Sequence, residues 1–274
     1  MKEDVKLLIC DIDGTLVEKG GAPLQKTERA LKLFHEEGVL LGLASGRPAD
    51  FRLKDKFREW GYDFDPDIVI GFNGCEVWDR FSDNKRQYNF LEKEETEQIL
   101  EYIWPLDVNV ITYGNGYDAV IARRKDHLIE ASMKRNRSIV SFSDKKEDFL
   151  RHDVPKLEIH YDEEKYEEEI LRIIEEHRSE NYTCTKTYTG TLEFMKPGID
   201  KGIALERICG EMNISLEKVV ACGDMDNDIA MLKTAGTGIC LLNGSEETKK
   251  AADYITEKDV SHDGLGEYLL EHYF

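Results

Sequence analysis

A chain of 274 residues with 41% hydrophobic content is long enough for two domains or one large one with a proper core. Its formal net charge of −19 argues against nucleic acid, which demands basic faces, and no apolar run approaches the roughly 18 residues of a membrane span. The acidic start Met1-Lys2-Glu3-Asp4 does not read as a signal peptide. Cys10, Cys75, Cys184, Cys209, Cys222 and Cys240 show no Cys-x-x-Cys spacing, which suits reduced, mostly buried thiols and predicts a cytoplasmic protein without disulfides or zinc.

Val5, Leu7 and Ile9 alternate with Lys6, Leu8 and Cys10 as a short buried parallel strand would, and Gly14-Thr15 breaks the run. Asp11 and Asp13 therefore fall at the strand's carboxyl end, where open α/β sheets bind ligands, and two apart on a strand they share a face. Anions that close repel unless a cation neutralises them, so the pair implies a metal, an acid/base role, or both. By itself, Asp-x-Asp-Gly also reads as a strand-ending turn.

Thr27 to Glu37 predicts an amphipathic helix with Ala30, Leu31 and Phe34 on one stripe and Gly38 as its stop. Val39 to Ala44 is the next buried strand, and its end delivers Ser45-Gly46-Arg47 to the same sheet edge as Asp11. A helix over Asp50 to Trp60 and a strand at Ile68-Val69-Ile70, ending at Phe72-Asn73-Gly74, complete a strand, helix, strand succession that predicts a parallel doubly wound sheet.

Between about Ser82 and Thr189 the texture changes. Val108, Val110, Ala119, Ile121, Leu157, Ile159 and Tyr161 fall in alternating runs that predict solvent-faced antiparallel strands, with two acidic helices between them, Glu92 to Ile103 and Glu163 to Glu176. The stretch carries −7 of the net charge and the rest −12, so acidity is shared. Arg123, Arg124, Lys125, Lys134, Arg135 and Arg137 form a basic cluster that reads as a solvated face in preference to an anion site. The seven histidines are isolated, and Trp60, Trp78 and Trp104 read as core or hinge packing.

From Leu192 the parallel pattern resumes. Lys201 opens a helix through Cys209, Val219 to Cys222 is a strand, Asp226 to Leu232 starts a helix, Gly238 to Leu242 is a strand and Glu246 to Ala252 a helix.

Four motifs come in order along this framework: Asp11-Ile12-Asp13-Gly14-Thr15, Leu43-Ala44-Ser45-Gly46-Arg47, Lys196-Pro197-Gly198-Ile199-Asp200-Lys201-Gly202, and Gly223-Asp224-Met225-Asp226-Asn227-Asp228. With them the chain resembles the haloacid dehalogenase superfamily of phosphotransferases, and within it the Cof-type sugar-phosphate phosphatases. The resemblance covers essentially the whole chain. It implies a doubly wound, Rossmann-like α/β core of residues 1–81 and 190–274, and an α/β cap of residues 82–189 inserted between the second and third motifs to set specificity.

It further implies a Mg²⁺-dependent phosphatase of small phosphorylated metabolites, hexose or pentose phosphates foremost, with no protein partner in evidence. Asp11 would be the nucleophile, forming an aspartyl phosphate, and Asp13 the acid and base for the leaving oxygen and the water. The metal would be held by Asp11, the backbone carbonyl of Asp13 and the Asp224 carboxylate, all oxygen donors as Mg²⁺ prefers, with Asp228 behind them. Ser45 and Lys201 would hold the phosphoryl oxygens. Gly14, Thr15, Gly46, Arg47, Asn73 and Asn227 would line the substrate, and Asn243-Gly244 resembles a further element near the site.

Phe72 and Cys75, and the stretch Gly238 to Leu242, depart from the family's usual residues without touching a charged position. Specificity is expected in the insert, around Tyr113 to Tyr117 and Tyr188 to Thr191. A phosphomutase using the same aspartyl phosphate, and a non-enzymatic sensor of a phosphometabolite, are the rival readings. Intact Asp11 and Asp13 count against the sensor, because a binder needs no acid two residues after its nucleophile.

Overall fold

The computed structural model describes residues 4–113, 120–136 and 139–274. It comprises two compact units, Met1–Tyr88 with Ile199–Phe274, and Asn89–Gly198.

Strand β1 (Leu7–Asp11) is buried along its whole length. Leu7 and Ile9 enter one apolar cluster while Leu8 and Cys10 enter another, which is why the run has no polar alternation. Helix α1 (Gln25–Glu36) buries Ala30, Leu31 and Phe34 and ends where Gly38 takes a φ of +77°. Strand β2 (Leu40–Ala44) follows. The single helix expected from Asp50 to Trp60 is two short ones, α2 (Phe51–Lys54) and α3 (Lys56–Glu59), because Asp55 between them leaves the helical region at φ −92°, ψ 9°. After β3 (Ile68–Gly71) the chain makes two antiparallel strands that the sequence pattern did not resolve, β4 (Glu76–Asp79) and β5 (Asn84–Gln87). Since β5 pairs with β4, the first unit keeps the chain to Tyr88 and does not release it at 81.

The second unit contains α4 (Lys93–Ile103), β6 (Asn109–Tyr113), β7 (Val120–Ala122), α5 (His127–Asn136), β8 (Val140–Phe142), β9 (Leu157–His160), α6 (Glu163–Glu176), β10 (Thr183–Tyr188) and β11 (Thr191–Met195). Its sheet runs β10-β11-β9-β6-β7-β8, antiparallel except for the parallel β7–β8 pair. The resumption expected at Leu192 does not occur there. Thr191–Met195 pairs antiparallel with β9 and β10, so the second unit extends to Gly198. Val110, Leu157, Ile159, Leu192 and Phe194 pack against Ile99, Leu100 and Ile103 of α4 and Ile170 of α6. The other face was expected to meet solvent, yet Ile111, Val120 and Ala122 are covered by Ile129 of α5, a helix absent from the sequence reading. Ala119 lies outside the described residues.

That same face carries a buried charge network. Lys156 Nζ lies 2.5 Å from Glu193 and 3.1 Å from Glu158, and the His160 ring meets Asp126 at 3.1 Å and Glu158 at 2.7 Å. Burial alone would lower the His160 pKa, but its two carboxylate partners push it up to about 9. Of the basic cluster, Arg123 stacks on Trp104 at 4.4 Å, Arg124 pairs with Asp107 and Lys125 with Glu130. The side chain of Arg135 and all of Arg137 lie outside the described residues.

The chain returns with α7 (Lys201–Glu211), β12 (Val219–Gly223), α8 (Ile229–Thr234), β13 (Thr237–Cys240), α9 (Glu246–Ala251), β14 (Tyr254–Ile255) and α10 (Gly264–Tyr273). The first unit's sheet then reads β14-β13-β12-β1-β2-β3-β4-β5, parallel from β14 to β3. Helices α1 and α10 cover one face through Phe34, Leu265 and Leu269, and α7 and α8 cover the other through Leu205, Ile208, Met231 and Leu232. The doubly wound core is therefore present, and strand order reverses at β1, the switch point where such sheets bind ligands. Among the described residues no helix is long and apolar enough to cross a membrane.

Candidate active site

Parallel strands deliver their carboxyl ends to one edge, and the motif residues sit there. Asp11 is the last residue of β1, Ser45 follows β2, Asp224 follows β12 and Lys201 opens α7. Asp11, Asp224 and Asp228 are all buried, and one oxygen from each lies within 4.8 Å of the others. The Lys201 ammonium is fully buried and donates to Asp11 Oδ1 and to Asp228 Oδ1, both at 2.6 Å. Asp228 Oδ2 accepts from the backbone N–H groups of Asp224 and Met225 at 3.0 and 3.1 Å. Asp228 is thus consumed in holding the lysine and the Asp224 backbone. Asp224 Oδ1 accepts from the Thr15 hydroxyl at 2.8 Å.

Gly14 is required where it stands. Its φ is +98°, and a Cβ there would lie 2.2 Å from Asp224 Oδ2. The turn after β1 thereby brings its backbone against the Asp224 carboxylate.

Three buried carboxylates face one ammonium. Burial first, then repulsion from Asp228 and Asp224 against the pull of Lys201, pushes Asp11 up to about 8. Burial likewise raises Asp224 to about 6, against its Thr15 hydrogen bond. Lys201 is disfavoured as a cation by burial, yet Asp11 and Asp228 hold it protonated well above the ordinary lysine value. A divalent cation fits this donor set. Asp11 Oδ2 and Asp224 Oδ2 have no hydrogen-bond partner among the described residues, and the cluster holds surplus negative charge.

Asp13 lies in the turn just past the end of β1. It bridges to Val17 in the turn, and its Oδ2 accepts from the Arg47 guanidinium, leaving Oδ1 buried without a partner. Ser45 Oγ accepts from the Arg47 N–H at 3.2 Å. Gly46 faces the Asn73 amide, whose Oδ1 would stand 3.5 Å from a Cβ there. Asn73, in the left-handed region at φ +53°, accepts from Asn227 Nδ2 at 3.1 Å. Asn243 donates to the Gly14 carbonyl at 2.9 Å and accepts from the Val260 N–H at 2.9 Å, tying the turn after β1 to two later loops.

Asp226 points elsewhere, its Oδ1 accepting from the Ser245 and Thr248 hydroxyls. Glu76, a residue the sequence reading does not single out, is 2% exposed and binds the Ala49 N–H; an acid directly before the apolar pair Val77-Trp78 is the available signal. Of the stretches expected to set specificity, residues 114–117 and the Tyr188 side chain lie outside the described residues. Gly190 turns the β10–β11 hairpin at φ +67°, with its N–H on Glu163.

Residues 8–269 match the haloacid dehalogenase-like hydrolase family. A putative phosphatase of Mycoplasma genitalium is 24% identical over 97% of this chain and 98% of its own. A 5-amino-6-(5-phospho-D-ribitylamino)uracil phosphatase of Bacillus subtilis is 25% identical over 97% of both chains. Among solved structures, a haloacid dehalogenase-like hydrolase from Bacteroides thetaiotaomicron superposes with a TM-score of 0.83 at 26% identity, covering 98% of this chain and 100% of that one. A match across nearly the whole chain, with the buried carboxylate and lysine cluster at the switch point, shows that the protein belongs to the haloacid dehalogenase-like hydrolase family and is a phosphatase.

Proposed function

We propose that the protein is a cytoplasmic, Mg²⁺-dependent phosphomonoesterase of small phosphorylated metabolites, sugar phosphates foremost, working through an aspartyl phosphate on Asp11. The observation that carries this reading is the Lys201 ammonium, 2.6 Å from both Asp11 and Asp228 within a buried trio of carboxylates at the end of β1. A solvated helix-end lysine would not be buried there, and a site that only bound phosphate would not gather three anions. The ribityl phosphate in the name of the Bacillus subtilis relative supports a polyhydroxylated alkyl phosphate as substrate.

Lys201 holds and orients the Asp11 carboxylate, which attacks phosphorus as the ester P–O bond breaks. Asp13 gives its proton to the departing alkoxide and later takes one from the water that cleaves the aspartyl phosphate, returning Asp11 and releasing phosphate. The Ser45 hydroxyl, Arg47 and Lys201 offer hydrogen bonds and positive charge to the phosphoryl oxygens. The Asp11 and Asp224 carboxylates, with the Asp13 carbonyl, would hold the Mg²⁺, whose charge would offset that on the phosphoryl oxygens. The unit Asn89–Gly198, spliced between motifs of one site and lacking motif acids of its own, is the determinant of specificity in this reading.

The decisive experiment separates the two acids. A sugar alkoxide needs a proton to leave, whereas nitrophenolate does not. Asp13→Asn should slow phosphorylation of Asp11 by a sugar phosphate roughly 10²–10⁴-fold and by p-nitrophenyl phosphate far less. Rapid mixing with the aryl substrate should show a nitrophenolate burst equal to the enzyme concentration, then slow turnover. Asp11→Asn should show neither. Equal loss on both substrates without a burst would overturn the division of roles.

A further inference from the structure

Glu76 lies on β4 opposite Gly71 of β3, in the antiparallel pair behind the site. It is 2% exposed. Its Oε2 accepts from the Ala49 N–H at 2.9 Å, while Oε1 accepts from Lys85 Nζ at 2.6 Å and Gln87 Nε2 at 3.1 Å. Ala49 is two residues past Arg47 and fully buried. It packs so closely on Gly71 that a Cβ there would lie 2.3 Å from its nitrogen. The same hairpin supplies the Phe72 N–H to the Arg47 carbonyl at 2.8 Å and the Asn73 N–H to the Ser45 carbonyl at 3.0 Å. The segment from Ser45 to Ala49 is thus gripped on both sides of Arg47. These two bonds, and the Ser45 N–H on the Ile70 carbonyl at 2.9 Å, are neutral backbone bonds; the remaining grip is a buried carboxylate, and charge-assisted bonds are about twice as strong. Pro48 has no N–H to offer, so the Ala49 N–H is where a side chain can take hold.

We propose that Glu76 is a positioning residue for phosphate binding. Through Ala49 it fixes the backbone on which the Ser45 hydroxyl and the Arg47 guanidinium are presented, although it touches neither. The inference rests on the reading of Ser45 and Arg47 as phosphate-contacting groups. Preorganised donors bind an anion without ordering cost, and donors on a loosened segment must be ordered at each binding event. Asp11 and Asp224 are carried by β1 and β12, so the carboxylate cluster does not depend on this grip.

The test is direct binding of inorganic phosphate to the full-length, Mg²⁺-loaded protein, beside steady-state hydrolysis of p-nitrophenyl phosphate. Glu76→Ala should raise the phosphate Kd and the KM together by about tenfold, near the lower end of what a hydrogen bond to a charged group supplies. kcat should fall less, and the Mg²⁺ activation constant should stay within about twofold. Glu76→Gln keeps an acceptor for Ala49 and should recover most of the affinity. Gly71→Ala keeps Glu76 but drives a methyl into Ala49, and it should raise the phosphate Kd in the same way. If the variants lose thermal stability while the phosphate Kd of the folded fraction stays at the wild-type value, Glu76 is structural only and the proposal falls. A wild-type enzyme that binds phosphate but hydrolyses no ester would overturn the parent reading instead, while the phosphate Kd values still decide the role of Glu76.

Discussion

Lys201→Met is the perturbation that reads the charge balance of the site. Methionine keeps the stem and removes the only cation among the described residues that touches Asp11 and Asp228. Breaking a buried ion pair by deleting one partner costs about 3–5 kcal/mol, since an uncompensated charge stays behind. The carboxylates can escape that cost by taking up protons. Burial already pushes Asp11 up to about 8 even with the ammonium pulling the other way, and without Lys201 it titrates higher still. A carboxyl group whose folded pKa lies above its unfolded one contributes most below the unfolded value and loses that contribution as pH rises through the folded one. Between pH 5 and about pH 8 Asp11 keeps its proton in both proteins, so the gap between wild type and Lys201→Met should hold level there and widen above pH 8 towards about 3–5 kcal/mol, where only the wild type has released that proton. The measurement is denaturant unfolding of the first unit in chelator at about pH 6 and about pH 9.5. In thermal terms the gap at about pH 9.5 is about 6–20 °C, at roughly 2–4 °C per kcal/mol for a unit of this size. Added Mg²⁺ should narrow it by supplying the missing positive charge. A gap below about 1 kcal/mol, or one equal at the two pH values, would refute the view that Lys201 balances buried anions.

Two further outcomes are expected. Chelation should abolish turnover and Mg²⁺ restore it; Asp224→Ala should lose rate and metal response together, whereas Asp226→Ala, which only releases the Ser245 and Thr248 hydroxyls, should cost about 1 kcal/mol of stability with little change in rate. Equal losses in activity would mean that the wrong acid is assigned. In the second unit, His160→Gln should remove a stabilisation that is fully present below the unfolded pKa of 6.5 and fades as pH rises through about 9, worth roughly 3 kcal/mol. Urea unfolding of that unit should show the variant's deficit at pH 6 and its disappearance near pH 10; a deficit that persists at high pH would mean that the ring acts by packing.

The sequence alone determined the motif-bearing parallel strands of the first unit and the motif residues at their ends. A run such as Leu7 to Asp11, apolar on both alternating faces, can only be an interior strand, and a turn of glycine and threonine must follow it. Strand ends of one parallel sheet share an edge, so Asp11, Ser45 and Asp224 were legible as neighbours before any coordinates. Tertiary structure decided everything that depends on which side chains from separate elements meet. That the Asp13 carboxylate is met by the Arg47 guanidinium, which follows a different strand, had no signal in the spacing of either residue. Asp228 reads from sequence as a support for the metal; in the fold its two oxygens are taken by Lys201 and by backbone N–H groups. The break at Asp55, the boundaries at Tyr88 and Gly198, and the protonated His160 had no local signal, because each is set by pairing partners remote in the chain. Glu76 is the clearest case. A charged residue in a buried strand is costly unless something meets it, and only the packing of Ala49 against Gly71 reveals what does.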